Sequence, residues 1–256
     1  MSDIGAITGY IDVAQIVLYA FWIFFAGLII YLRMEDKREG YPLESDRKGI
    51  KVVGWPNPPS AKTYTMPFEG GTRVAPRDGF TERDIAAEPV AGFPGAPLEP
   101  TGNPLVDGVG PAAWAVTRPE TPDLTYKGEP KIVPMRVATD FSVAERDPDP
   151  RGKPVLGADG VQGGTVSDLW VDRAEPQIRY LEVDSDGRRV MLPINYVRVA
   201  ADGSHVKVVS VLAAHFADAP GTADPDQVTL AEEDRICAYY AGGHLYALPQ
   251  RAEPWL

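Results

Sequence analysis

The side chains that most often carry chemistry are sparse in this 256-residue chain. The chain holds one cysteine, Cys237, and three histidines, His205, His215 and His244. Their spacing matches none of the arrangements by which cysteine and histidine hold zinc. A single thiol allows no intrachain disulfide, which fits a reducing compartment. A relay of His215 with Asp168 or Asp172 can be drawn, but three scattered histidines indicate it only weakly. We therefore predict no self-contained catalytic site.

Phosphate-binding and nucleic-acid-binding patterns are also missing from the sequence. The pair Gly163-Gly164 lacks the spacing of a dinucleotide-binding turn or a P-loop, and there is no nucleophile elbow. The formal net charge is −11 and the sequence pI is about 4.8. Since no basic stripe interrupts this acidic composition, we predict that the chain has no nucleic-acid partner.

One apolar run, from Val13 to Leu32, must position everything else. A helix of about twenty residues, at about 1.5 Å each, just spans a bilayer core of about 30 Å. Gln15 is the only strongly polar member of the run. A signal peptide fits less well, because no Lys or Arg precedes the run and no A-x-A pattern ends it. A core helix so apolar on every face is unusual. We predict a transmembrane helix over residues 12–33.

Charge around this span predicts its orientation. Basic residues follow the run and none precedes it: they are Arg33, Lys37, Arg38, Arg47 and Lys48. The positive-inside rule therefore places residues 1–11 outside and the large C-terminal part in the cytoplasm. The apolar run from Val13 to Leu32 contains no His, Asp, Glu, Lys or Arg, so it offers no usual ligand for a chlorophyll or haem metal and no group for a proton path. We predict a plain anchor.

The rest of the chain divides by composition. Residues 34–130 are rich in Gly and Pro, which disfavour long helices and central strands. Pure disorder is usually poor in aromatic residues, yet this stretch contains several: Trp55, Tyr64, Phe68, Phe80, Phe93 and Trp114. We predict an extended, irregular segment that is ordered by lying on another surface, either its own C-terminal domain or another protein.

Residues 131–256 have a different pattern, in which short β-type runs alternate with turn signals. The predicted strands are Ile132 to Val137, Gly164 to Asp172, Gln177 to Asp184, Arg188 to Pro193, Val197 to Ala200 and His205 to Val209. Asp186-Gly187 between two alternating runs predicts a hairpin. Such strands favour a small antiparallel barrel or sandwich. A helix follows, with Thr229 as its cap, Glu232 completing a capping box and Gly242 able to end it.

Six segments, taken together, resemble the H subunit of the photosynthetic reaction centre of purple bacteria. They run in order over nearly the whole chain: Ala20 to Glu44, Pro100 to Trp114, Lys131 to Val143, Asp147 to Val155, Gly164 to Val183 and Glu232 to Ala247. The REGYPLE, DLWVD and EEDRICAYYAGG motifs lie within them. The resemblance implies one transmembrane helix, an extended surface segment and a β-rich domain of the PRC-barrel type over residues 131–256.

The resemblance also implies a place and a set of partners. The chain would lie in the photosynthetic inner membrane with its N-terminus in the periplasm and would cap the cytoplasmic face of the L and M subunits. Those subunits would hold bacteriochlorophyll, bacteriopheophytin, quinones and non-haem iron, and this chain would bind none of them and catalyse no reaction itself. A cytochrome subunit and a light-harvesting 1 ring are further candidate partners. Membrane lipids are expected at Tyr31 and Arg33.

A protonic role follows from the same resemblance. The secondary quinone must take protons from the cytoplasm, and the family's inner carboxylate on that path falls on Glu175. Asp172 precedes it and Arg179 follows as its expected charge partner. The alternative is an ordinary surface ion pair between Glu175 and Arg179.

The surface point where protons enter cannot be carried over. Some members have two histidines and an aspartate just upstream of the KIVPM segment, where this chain has Thr125, Lys127 and Glu129. Asp123 and Glu129 are the candidates here. Two other classes of function stay open: a membrane-anchored assembly factor or ribosome-associated adaptor with a PRC-barrel module, and a subunit of a quinone-linked oxidoreductase.

Overall fold

The computed structural model describes residue 5 and residues 7–8, 11–44, 50–68, 71–76, 84–93 and 95–251. The described helices are α1 (Val13–Glu35), α2 (Pro104–Asp107) and α3 (Leu230–Tyr246). The described strands are β1 (Leu43–Glu44), β2 (Lys51–Val52), β3 (Lys62–Thr65), β4 (Thr72–Ala75), β5 (Ala87–Pro89), β6 (Leu98–Pro100), β7 (Ile132–Pro134), β8 (Pro154–Leu156), β9 (Gln162–Asp172), β10 (Gln177–Ser185), β11 (Arg188–Pro193), β12 (Val197–Val199) and β13 (Val206–Val208).

These elements belong to two compact units. One comprises Met1–Arg83 with Ala91–Ala96, and the other comprises Asp84–Val90 with Pro97–Leu256. The second unit therefore takes in residues 97–130 together with the β-rich part. The domain boundary expected between residues 130 and 131 rests on composition alone and stays a prediction.

The first unit contains α1, which confirms the predicted apolar helix. Its cap is Asp12, whose carboxylate accepts the backbone N–H of Gln15 at 2.7 Å, and the Gln15 side chain in turn accepts the N–H of Asp12 at 3.3 Å. The one polar residue of the run thus completes a capping box at the start of the helix. No residue of α1 is buried within the chain, and it is the one described helix long and apolar enough to cross a membrane.

Two cations just after α1 bind the backbone of the segment that follows. The Lys37 side chain is buried, and its ammonium donates to the carbonyls of Val53 at 2.8 Å and Pro56 at 2.7 Å. The Arg38 guanidinium donates to two further backbone carbonyls of the same unit, each at 2.9 Å. In the sequence, Lys37 and Arg38 served only to predict the orientation of the transmembrane helix. In the structure they also order a Pro-rich segment whose backbone has few hydrogen bonds of its own.

The described part of the predicted extended segment is mostly irregular, with three short antiparallel ribbons, β1–β2, β3–β4 and β5–β6, and the one-turn helix α2. Trp55, Phe68 and Phe93 have 77%, 52% and 58% of their surface exposed. Trp114 instead lies 5.9 Å from the guanidinium of Arg235 on α3. Phe80 lies outside the described residues. The end of the segment thus contacts the chain's own C-terminal helix, and the exposed rings leave room for another covering surface.

The β-rich part of the second unit is a seven-stranded sheet. Its order is β11-β10-β9-β8-β13-β12, and β7 pairs with β9. Each predicted strand is present within a few residues of its expected ends. The Asp186-Gly187 hairpin is confirmed, with positive φ angles of 53° and 80°, as its two-residue turn requires. The sheet is antiparallel except for the β13–β8 ladder, and the sequence pattern did not predict β8.

We expected that Gly242 could end α3, but the structure shows that it does not. The helix continues through Gly242 and Gly243 to Tyr246. A Cβ on Gly242 would lie 2.5 Å from Cβ of Ala112, and one on Gly243 would lie 2.4 Å from Cγ1 of Val211. The two glycines are therefore needed for close packing of the helix, and their conformational freedom is not used.

The predicted cap of α3 is confirmed and gives a first testable prediction. The Thr229 hydroxyl oxygen accepts the backbone N–H of Glu232 at 3.2 Å, and the Glu232 carboxylate accepts the N–H of Thr229 at 2.8 Å. Thr229→Ala should lower the free energy of unfolding by about 1 kcal/mol, measured by urea denaturation of the full chain in detergent. Thr229→Ser keeps the hydroxyl and should stay close to wild type. Equal losses in the two variants would contradict the capping role.

Candidate functional site

Lys131 joins two of the predicted carboxylates. It directly precedes β7, and its ammonium nitrogen lies 3.5 Å from Asp123 Oδ2 and 3.6 Å from Asp172 Oδ2. Asp172 is only 1% exposed, whereas the Asp123 side chain is 45% exposed. Burial lowers the pKa of Lys131, but the attraction of Asp172 and Asp123 outweighs it and the net direction is upward. Lys131 therefore stays charged and compensates the buried carboxylate.

Glu175 lies on the turn that follows Asp172. The Asp172 Oδ1 atom accepts the backbone N–H groups of Ala174 at 2.9 Å and of Glu175 at 3.0 Å, so the buried carboxylate shapes the β9–β10 turn. The Glu175 side chain is exposed and accepts a long 3.4 Å hydrogen bond from the Gln177 amide. Glu175 also contributes to raising the pKa of Lys131. The Asp172 carboxylate thus contacts the backbone of Glu175, and the protonic role predicted for both residues stays a prediction.

Arg179 is not the charge partner of Glu175. The register of β10 on β9 shifts between Ile178 and Tyr180, which leaves Arg179 unpaired in the ladder at a bulge. Among the described residues, no ion pair within 4.0 Å joins Glu175 to Arg179. The guanidinium instead acts on Glu233 of α3, whose pKa it lowers. Neither the expected charge pairing nor the simple surface ion pair of Glu175 with Arg179 is therefore formed in the structure.

Glu129 lies close in sequence to Asp123 and Lys131, in the segment that leads into β7. Residues 123–130 form a small hairpin in which Leu124 bridges Pro130 and the backbone N–H of Thr125 donates to the Glu129 carbonyl at 2.8 Å. The Glu129 carboxylate lies 3.6 Å from the guanidinium of Arg173 and is mostly exposed. Both candidate surface carboxylates, Asp123 and Glu129, are thus held next to basic residues that flank β7 and β9.

The sequence reasoning overlooked a further carboxylate, Glu233. The Tyr180 hydroxyl donates to its Oε2 at 3.0 Å, and the Cys237 sulfur lies 3.9 Å from the same hydroxyl. Burial raises the pKa of Glu233, opposed by the Tyr180 hydrogen bond and by Arg179. Glu233 and Cys237 are four residues apart, a spacing that places both on one helical face. This four-residue spacing of Glu233 and Cys237 was the sequence signal for the pair. The sequence interpretation, however, assigned a role only to Glu232, the capping residue.

A second charged cluster lies on β9 at Asp168, four residues before Asp172. The register pairs Asp168 with Glu182, two carboxylates directly across a ladder. Arg136 lies 3.1 Å from Asp168 and 2.9 Å from Glu182, and the Trp170 indole donates to Glu182 at 2.9 Å. Two like charges at opposed positions destabilise a sheet. Arg136 therefore supplies the positive charge that offsets the repulsion between Asp168 and Glu182.

The imagined histidine relay is not formed. The His215 Nδ1 atom accepts the backbone N–H of Leu212 at 3.2 Å, and burial lowers the pKa of the ring. Asp168 pairs with Arg136 and Asp172 with Lys131, as described above. Over the described part of the chain, no group of three or more His, Cys, Asp or Glu side chains is arranged to hold a metal ion.

The two residues expected at the lipid boundary lie near the C-terminal end of α1. Tyr31 is 52% exposed, and the Lys62 ammonium lies 5.9 Å from the centre of its ring. The Arg33 guanidinium lies 3.3 Å from Asp36, with both side chains exposed. An aromatic ring and a cation are thus presented together where α1 meets the next segment.

Comparison with known protein families gives two matches in this chain. Residues 5–137, more than half of the chain, match the family model of the N-terminal region of the photosynthetic reaction centre H-chain. Residues 143–212, which contain β8 to β13, match the PRC-barrel domain. The matches stand in the order that the resemblance implied. The predicted fold, one apolar N-terminal helix followed by a β-rich PRC-barrel region, is confirmed.

Proposed function

The chain belongs to the family of photosynthetic reaction centre H chains, and from that premise we propose that it caps the cytoplasmic face of the L and M subunits. As a member of this family it is a structural subunit of a membrane-bound reaction centre and associates with other reaction centre subunits. The observation that carries the proposal is the family match over the anchor and the extended segment, joined to a PRC-barrel match. A PRC-barrel match alone would suit an adaptor equally well.

The proposed partners are the L and M subunits, which hold the bacteriochlorophyll, bacteriopheophytin, quinones and non-haem iron of the complex. A cytochrome subunit and a light-harvesting 1 ring are further proposed neighbours. Two observations favour such a setting. The helix α1 buries no residue within the chain, and Trp55 is 77% exposed in the segment that follows. Apolar surface of this extent favours cover by lipid or protein.

We place the N-terminus in the periplasm and the β-rich unit in the cytoplasm of the photosynthetic inner membrane, because basic residues follow α1 and none precedes it. We also propose lipid contact at Tyr31 and Arg33. An exposed aromatic ring favours the membrane interface, and a neighbouring cation attracts anionic headgroups.

The proposed protonic role concerns the edge at which β9 ends. An electron on a quinone in a partner subunit is poorly compensated unless a proton follows. Asp123 is partly exposed and Glu129 is mostly exposed, whereas Asp172 is buried beside Lys131. Glu175 lies on the adjoining turn. Such a group of carboxylates suits conduction of protons toward the secondary quinone, with Glu175, which is exposed on this chain alone, as the member next to the partner subunits.

Purification from the native membrane tests the main proposal. A C-terminally tagged chain should co-purify with L- and M-like subunits, and the near-infrared spectrum of the sample should show bacteriochlorophyll. Membranes that carry the untagged chain, taken through the same purification, control for carry-over. A tagged chain isolated without pigment would instead support an adaptor, and quinone without pigment would support an oxidoreductase subunit.

A further inference from the structure

We propose that Trp55 is a membrane-interface anchor, an indole that a buried lysine holds at the level of the lipid headgroups where α1 leaves the bilayer. This role rests on the proposed membrane location of α1, and it adds a lipid contact beyond Tyr31 and Arg33. The contacts that support it lie within the first unit alone, between the end of α1 and the segment that follows.

Lys37 fixes the short loop that contains Trp55. It is the second residue after α1, and its ammonium donates to the carbonyls of Val53 at 2.8 Å and Pro56 at 2.7 Å. Because these carbonyls bracket Trp55 in the chain, one donor closes both ends of the loop. Lys37 is only 3% exposed, and its ammonium lies 5.2 Å from the centre of the Tyr41 ring. The lysine therefore acts as a clamp on the backbone and is not available to a headgroup.

Further contacts keep the rest of the segment at the end of α1. The Arg38 guanidinium donates to the carbonyls of Ser60 and Ala75, each at 2.9 Å. The Lys62 ammonium lies 3.0 Å from the carboxylate of Glu35, the last residue of α1. The segment thus returns to the end of the apolar helix and does not extend away from it.

The distance from the apolar run gives the height of this loop above the bilayer core. Lys37 lies five residues beyond Leu32, which is about 7.5 Å along a helix parallel to the membrane normal. The polar region on each side of the core is about 5–8 Å thick. Tryptophan favours this region, since its ring is apolar and its N–H is polar. Trp55, which is 77% exposed, is therefore presented where the headgroups lie.

Fluorescence quenching tests this on the full chain in vesicles of phosphatidylcholine and phosphatidylglycerol. Some of the lipids have a nitroxide quencher, either on the headgroup or deep in the acyl chain. The Trp55 signal is the emission that Trp55→Phe removes. We expect the headgroup label to quench most of this signal and the deep label to quench much less of it. A Trp55 signal that neither label quenches would place the indole in water and overturn the proposal.

Trp22, within α1, is the internal reference. The emission that Trp22→Phe removes should be quenched by the deep label, because this ring lies inside the span. If it is not quenched, α1 does not cross the bilayer and the proposed membrane location fails. If Trp22 is quenched and Trp55 is not, only the present inference fails.

Lys37→Met tests the clamp. Methionine keeps an apolar stem but cannot donate to the two carbonyls, so the loop should loosen and quenching of Trp55 by the headgroup label should fall. Lys51→Met is the matched control, since it removes one positive charge from an exposed position of the same segment. If quenching is the same in the two variants, Lys37 does not position the indole.

The intact reaction centre distinguishes lipid from a partner subunit as the cover of Trp55. A phospholipid with a photoreactive group just below its headgroup should label the tryptic peptide from Val52 to Lys62. Trp55→Ala should lose most of this label. If the peptide is labelled in the isolated chain but not in the intact complex, a partner subunit covers Trp55 and the assignment to lipid is overturned.

Discussion

Replacing Arg136 by Met should destabilise the β-rich unit by about 3 kcal/mol, at the low end of the range for breaking a buried ion pair because Arg136 is itself partly exposed. Asp168 and Glu182 are 7% and 8% exposed and directly opposed in the β9–β10 ladder. Without the guanidinium, two neighbouring carboxylates would remain buried and uncompensated. The Met side chain would preserve most of the apolar stem, so the loss reports on the guanidinium, which also donates to the Pro225 carbonyl and pairs with Asp226 at 3.3 Å.

Urea denaturation of the full chain in detergent, followed by tryptophan fluorescence, measures this effect. Trp170 is fully buried and hydrogen-bonded to Glu182, so its emission should report on the cluster. The matched control is Arg151→Met. Arg151 forms an exposed pair with Asp149 at 2.6 Å, and its loss should cost at most about 1 kcal/mol.

A double variant isolates the charge argument. Adding Glu182→Gln to Arg136→Met removes one of the two stranded charges but keeps an oxygen that can accept from the Trp170 indole. We expect this pair to recover a clear part of the lost stability. If the double variant is less stable than Arg136→Met alone, Arg136 stabilises the unit by packing, and the explanation by opposed carboxylates is wrong.

Local patterns predicted the elements of this fold well. The apolar run gave α1, the alternating runs gave the strands, and Asp186-Gly187 gave the hairpin with its positive φ angles. Each of these depends on residues close in sequence, so composition and spacing contain the needed information. The capping box of Thr229 and Glu232 is likewise local, and it was predicted correctly.

Features that depend on distant residues were missed or predicted wrongly. Gly242 looked like a helix end, because its contact with Ala112 is more than a hundred residues away in sequence. Arg179 looked like a partner for Glu175, because alternation cannot show the bulge that turns it toward α3. The sequence analysis assigned no role to Lys131, whereas in the structure it lies between the carboxylates of Asp123 and Asp172. The cations next to Asp123, Asp172 and Glu129 could thus not be predicted from local pattern, and the roles predicted for these carboxylates stay predictions.

Replacing Glu175 by Gln should slow the second electron transfer to the secondary quinone, with its coupled proton transfer, by about tenfold or more, because a positioned carboxyl that transfers protons contributes at least this much. Primary charge separation precedes any proton uptake and should be nearly unchanged. Gln has almost the same shape, and the turn is held by the backbone N–H of residue 175 donating to Asp172. The substitution therefore removes the carboxylate and leaves the local fold in place.

Flash spectroscopy of the purified reaction centre at several pH values measures both steps in one sample. Glu145→Gln, at an exposed position of the same unit, is the matched control and should behave as wild type. Glu175→Asp restores a carboxylate one methylene shorter and should recover most of the rate, which a purely steric role would not explain. Kinetics of Glu175→Gln that equal those of Glu145→Gln at every pH would move the innermost proton carrier elsewhere. Asp172 would then be the next candidate, since it is buried and already charge-paired with Lys131.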